Sequence, residues 1–182
     1  MRRILDFIYQ AAGALAAFFI LAIVALVFAQ VCLNLADKIA VALTGGGIGL
    51  TIPSYADFTG FFLAASTFLA LAYTLRAGGH IRVTLVIGRL PSRAQRMVEL
   101  IVVGIALAMS AFATWYVILL VYESVEFGDR SSGMVSVPLW LPQLPVALGL
   151  VILSLALADE LIGLLRGRPA SWEGKGESLL SE

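Results

Sequence analysis

The sequence predicts an all-α integral membrane protein with four transmembrane helices, both termini cytoplasmic, and a short amphipathic interfacial segment between helices 2 and 3. Three observations predict it. Hydrophobic residues fill 60 % of the 182 positions, well above the roughly 45–50 % apolar share of soluble domains. Four uncharged runs, Phe7–Ala36, Phe58–Leu75, Leu100–Tyr122 and Ser131–Ala158, are 30, 18, 23 and 28 residues long, against the roughly 20 that cross a hydrocarbon core of about 30 Å. The five polar segments around them hold 2, 1, 5, 1 and 3 Lys and Arg residues. Basic residues near span ends are retained in the cytoplasm, so the first, third and fifth segments face inward. Amides in lipid must bond internally, which leaves helices or a closed barrel; the unbroken runs lack the period-two alternation of barrel strands.

The first crossing is predicted over 11–35. Arg2 and Arg3 before an apolar stretch also resemble a secretory signal, but signal cores are about 7 to 15 residues long and this one is twice that. Cys32 is the only cysteine, so it forms no internal disulfide and is expected to be a buried small apolar residue. Gly45-Gly46-Gly47-Ile48-Gly49 lacks the Lys and Ser or Thr of a phosphate-binding loop and reads as a flexible exterior turn.

The second crossing, over 56–76, should start near Ser54, because Ser54 and Asp57 are spaced as a capping box after Pro53. Gly78-Gly79 breaks the helix. His80 to Leu90 then mixes Ile81, Val83, Leu85, Val86 and Ile87 with Arg82 and Arg89, too short to cross and too apolar for a free loop. Such a segment lies in the interface with its arginines against anionic headgroups of the inner leaflet.

Ser92 and Gln95 repeat the capping pattern after Pro91, so the third helix is predicted from Ser92 to Tyr122, crossing over 98–122. Tyr116, Tyr122 and Trp140 suit the aromatic belts at headgroup level, and Trp115 sits deep for that role. Pro138, Pro142 and Pro145 cluster where the last helix begins, where missing amide hydrogens cost least. Regular helix is expected from about Pro142 to Leu165, with the crossing over 141–164. Residues 1–165 then form one membrane domain, and 166–182, rich in Gly, Pro, Ser and Glu, a disordered cytoplasmic tail.

A chain that carried solutes itself should hold ionisable groups or broken helices at mid-bilayer. This sequence places only Gln30, Asn34, Ser66, Thr67, Thr74, Ser110, Thr114 and Ser154 in its spans, residues that bond across helix interfaces or back to their own carbonyls. The sole histidine, His80, lies outside the spans, which argues against paired haem ligands. One histidine and one cysteine give neither a zinc site nor a nucleophile and base. No enzymatic chemistry and no cofactor is expected.

The stretch Leu71–Pro91, with Arg76, Gly78-Gly79, His80-Ile81-Arg82-Val83 and Leu90-Pro91, resembles the motif region of the small membrane subunit of tripartite ATP-independent periplasmic (TRAP) transporters, the DctQ-like Q subunit. Gly133–Gly149, with Pro138, Trp140, Pro145 and Gly149, looks like that family's approach to its last span. Tyr55 and Asp57 stand where many relatives have Trp and Glu, Thr84 where they often have an acid, and Asn34 where an arginine is common. The resemblance implies a small permease subunit of the bacterial inner membrane. It would scaffold a large membrane subunit and help dock a periplasmic solute-binding protein, for sodium-coupled uptake of organic acids.

Two groups of residues follow as candidates. Arg76, His80, Arg82 and Arg89 are expected to contact lipid or the large subunit. Glu123, Glu126, Asp129 and Arg130, net minus two, are expected to help dock the solute-binding protein; the alternative is an ordinary solvated loop with Glu126 and Arg130 paired one helical turn apart. Membrane lipids are expected partners and nucleic acid is not. Rival readings are a self-assembling small transporter or channel, and a membrane-anchor subunit of a respiratory enzyme.

Overall fold

The computed structural model describes residues 2–78 and 91–168. They form four helices: α1 (Arg2–Thr44), α2 (Tyr55–Ala77), α3 (Ser92–Glu126) and α4 (Trp140–Leu165). All four are long and apolar enough to cross a membrane. The expected interfacial segment, with His80, Arg82 and Arg89, and the expected tail beyond Arg168 lie outside the described residues.

The helices stand in the order α1, α2, α4, α3, each packed on the next, rather than closing into a ring; α1 touches α4 only slightly. The buried core falls into two clusters: Tyr9, Ala72 and Ala156 join α1, α2 and α4, and Val103, Leu157 and Leu164 join α3 to α4. At the α2–α4 seam Ala72 meets Ala156 and the Phe68–Leu69 backbone meets Gly149, with Ala65 and Leu69 buried beside them. Small residues let these backbones approach, which is how helices gain dispersion energy where lipid removes any hydrophobic drive. A Cβ on Gly149 would lie 2.5 Å from the carbonyl carbon and oxygen of Phe68. At the α1–α2 contact Gly13 does the same for the Tyr73 ring, 2.9 Å from its Cγ.

Uncharged polar residues behave as expected inside the spans. The Ser154 hydroxyl lies 2.8 Å from that of Ser110 and 3.1 Å from that of Thr114, tying α3 to α4. Ser66, Thr67 and Thr74 donate to carbonyls of their own helix. Gln30 joins α1 to the chain entering α2, donating to Thr51 and accepting the Ile52 amide at 2.8 Å.

Several helix ends differ from expectation. The first helix runs well past 11–35 in both directions, because Asp37 and Lys38 end an uncharged run without breaking a helix; Gly45, at φ 74°, is what stops it. Its 43 residues measure about 64 Å. Gln30 lies level with Ile52, just before α2 begins, so the last 14 residues of α1 stand about 21 Å past the start of α2. The glycine turn is tied down: the Asp37 carboxylate accepts the Ile48 and Gly49 amides, each at 2.7 Å. Cys32, expected to be buried, is exposed.

α2 includes 56–76 with one residue more at each end, and Gly78 closes it at φ 77° with its amide on Leu75 and Thr74 carbonyls. The Ser54 capping box does not form. Ser54 takes the left-handed conformation, φ 56°, and its hydroxyl accepts the Val135 amide at 2.9 Å instead. α3 starts at Ser92 as expected, yet its N-cap is Pro91 with no side-chain cap. α4 begins at Trp140 rather than Pro142, because the Pro138 and Leu139 carbonyls already accept the Leu141 and Gln143 amides. It ends at Leu165 as predicted.

Candidate functional site

Two polar assemblies stand out, one at each end of the bundle. At the end where α1 starts and α4 finishes, α1, α2 and α4 each contribute charge. Asp6 lies on the second turn of α1, Arg76 on the last turn of α2, and Asp159 and Glu160 near the end of α4. Antiparallel α1 and α2 and parallel α2 and α4 bring all four to one level. The Arg76 guanidinium reaches Asp6 at 2.7 Å through Nη2, and Asp159 at 3.3 Å and Glu160 at 3.7 Å through Nη1. It also sits over the Tyr9 ring, 5.3 Å from the centroid. Only a planar fork can divide its donors between carboxylates on different helices while stacking on a ring.

Burial sets what this cluster does. Glu160 is 5 % exposed, Arg76 19 % and Asp6 49 % by side chain, so the arginine is a counter-ion that helps an almost buried carboxylate stay in the bundle. With a guanidinium at its centre the cluster is an ion-pair clamp on three helices rather than a metal cage. Of the four residues expected to meet lipid or the large subunit, Arg76 is the one described, and the structure engages it within the chain. Asp6, Tyr9, Asp159 and Glu160 were missed from sequence.

The opposite end carries the outer-loop candidates. Glu123 and Glu126 occupy the last turn of α3, and Asp129 and Arg130 follow a turn at Gly128, φ 66°. All four are exposed. The Glu126–Arg130 pair does not form, because the helix stops at Glu126 and the turn carries Arg130 away. Its guanidinium instead bonds the Ser136 hydroxyl at 2.9 Å and the Ser136 carbonyl at 3.0 Å. The Ser131 amide on Val137 O and the Leu139 amide on Asp129 O close the loop into a narrow hairpin. Gly133 lies against the Asp57 and Ser54 side chains, so the loop rests on the start of α2.

Glu123 and Glu126 sit where the helix macrodipole is negative, with no basic residue in the last turn. Acids in that position weaken the helix, so their presence is not explained by folding.

Ser54 links this loop to the bundle. Ser54→Ala should remove the acceptor of the Val135 amide, cost about 1 kcal/mol and speed hydrogen exchange at Val135, with exchange in α2 beyond its first turn unchanged.

The family model described as "Tripartite ATP-independent periplasmic transporters, DctQ component" matches residues 47–167. That stretch runs from the glycine turn through α2, α3 and α4. Comparison with curated proteins and with solved structures gives no match.

Proposed function

This chain belongs to the family of the DctQ component of tripartite ATP-independent periplasmic transporters, and from that premise we propose that it braces the large membrane subunit without conducting solute. It is a multi-pass membrane protein and a transporter component, not an enzyme. The family gives it two protein partners, the large membrane subunit and the solute-binding protein. We infer further that the end where α1 starts and α4 finishes faces the cytoplasm of a bacterial inner membrane, and that the complex drives sodium-coupled uptake of organic acids.

The observation that carries the passive role is the α2–α4 seam. Where a translocating chain would need a polar passage, Gly149 touches the backbone of α2 and Ala65, Ala72 and Ala156 fill the contact. The charged residues of the described bundle are gathered at its ends, where the Arg76 clamp holds three helices to one register. Both features favour a rigid body. Reconstitution decides the matter: the isolated chain in liposomes should pass no solute under a sodium gradient, and uptake should require the large subunit and the solute-binding protein together. Flux through the chain alone would overturn the reading.

The acids ending α3 are proposed to steer the solute-binding protein. They lie exposed at the outer end, against their own helix dipole, beside a loop held rigid by Ser54 and Ser136. Glu123→Lys with Glu126→Lys should slow uptake severalfold and invert its dependence on ionic strength, since steering by surface charge is screened by salt. Uptake unaltered across a salt series would remove the loop from docking. His80, Arg82 and Arg89 are proposed to contact anionic lipid or the large subunit.

A further inference from the structure

At the free side of the helix row, α3 turns Phe112, Trp115, Tyr116 and Leu119 outward, opposite the Ser110 and Thr114 face that packs on α4. Their spacing of three, four and seven residues places them in one patch. Trp115 is 64 % and Tyr116 56 % exposed, and the Phe112 and Tyr116 rings pack with centroids 4.6 Å apart. Depth makes the patch unusual. Trp115 lies 8 residues from Glu123 and 16 from Glu99, about 12 and 24 Å along the helix, inside a hydrocarbon core of about 30 Å.

Side chains on a helix lean toward its N-terminus. For α3 that direction is away from the nearer headgroup layer, so the indole N–H and phenol O–H point further inward. Among the described residues neither takes a hydrogen-bond partner. Acyl chains offer no acceptor at that depth. The outward side of α1 differs, for Phe7, Phe18, Leu21 and Phe28 carry no polar head and lipid suffices to cover them.

We propose that the Phe112–Trp115–Tyr116 patch is where α3 receives a membrane-spanning helix of the large subunit, whose backbone or side-chain oxygens accept the two hydrogens. This rests on the family partnership above. The solute-binding protein, being outside the bilayer, cannot reach that depth. Trp and Tyr are also the residues that concentrate affinity at the centre of an interface.

The test uses the full chain co-expressed with its large subunit, with p-benzoylphenylalanine placed at Phe112 or, as a control, at Leu21 on α1. Illumination should give an adduct of this chain with the large subunit from position 112 and none from position 21. Trp115→Leu with Tyr116→Leu should reduce co-purification at least tenfold. Trp115→Phe with Tyr116→Phe, which keeps the rings and removes the donors, should reduce it severalfold. An adduct from position 21 and not from 112, or full co-purification of the leucine variant, overturns the patch while leaving the partnership standing. An adduct of two copies of this chain at position 112 assigns the patch to self-association instead. Failure of the unsubstituted chain to co-purify with the large subunit overturns the partnership itself.

Discussion

Arg76→Ala is expected to cost the isolated bundle about 3 kcal/mol, the lower end of the range for removing one partner from a buried ion pair. The figure is kept low because Asp6 is half exposed and Arg76 retains some solvent contact. Removal leaves Glu160, almost buried, and Asp159 close together without the guanidinium between them. Arg76→Lys should recover part of the loss, since a single ammonium keeps the charge but cannot serve Asp6 and Asp159 at once. Asp6→Asn should cost under about 1 kcal/mol, as for a solvent-exposed pair. Thermal unfolding in detergent, followed by intrinsic fluorescence, ranks the three. If arginine and alanine variants unfold together, the clamp contributes nothing to stability and its worth must be sought in assembly.

Gly149→Val should be as damaging by a different route. The first atom of any side chain at 149 meets Phe68 carbonyl atoms at 2.5 Å and the Leu69 nitrogen at 2.8 Å. Those are backbone atoms, which cannot rotate aside, so α2 and α4 must part along the seam. Over-packing of this kind costs about 1–3 kcal/mol in a soluble core and more where backbone must shift. Loss of the seam also frees α1, which is held to the bundle mainly through α2. Gly104→Val is the matched control, because nothing lies within 4 Å of a Cβ at 104. Limited proteolysis of both variants in detergent should show cleavage near the start of α2 in Gly149→Val alone. Equal resistance would show that the seam can open without consequence.

The sequence was most legible where punctuation is chemical. Pro53 before α2 and Gly78 after it bounded that helix to within a residue or two, since one lacks an amide hydrogen and the other tolerates positive φ. The length of α1 was not legible from charge. Asp37 and Lys38 mark a boundary in hydropathy, yet both are compatible with helix, and only Gly45 ends it. Cys32 was misplaced because small size says nothing about which side of a helix is covered. The Ser54 cap failed for a tertiary reason: the Val135 amide, 81 positions away, competes for the same oxygen.

The Arg76 clamp was only partly legible in the sequence. Counting Lys and Arg predicts an orientation, and acids contribute little to that count. The same topology, however, places Asp6, Arg76 and Asp159 at one membrane face, because each closes or opens an uncharged run at the termini side. Their pairing across 70 and 83 positions was therefore available as soon as four crossings were counted. The distances and the burial of Glu160 were not, since those depend on how closely α2 and α4 approach.

The order of the helix row bears on how the protein is made. α1 and α2 are neighbours in both sequence and space, so they can pair as a hairpin while the rest is still on the ribosome. α3 is synthesised next, and among the described residues its main neighbour is α4, the last helix to be made. A nascent chain halted between Glu126 and Trp140 would leave its third helix unclaimed beside the translocon, open to early quality-control proteolysis.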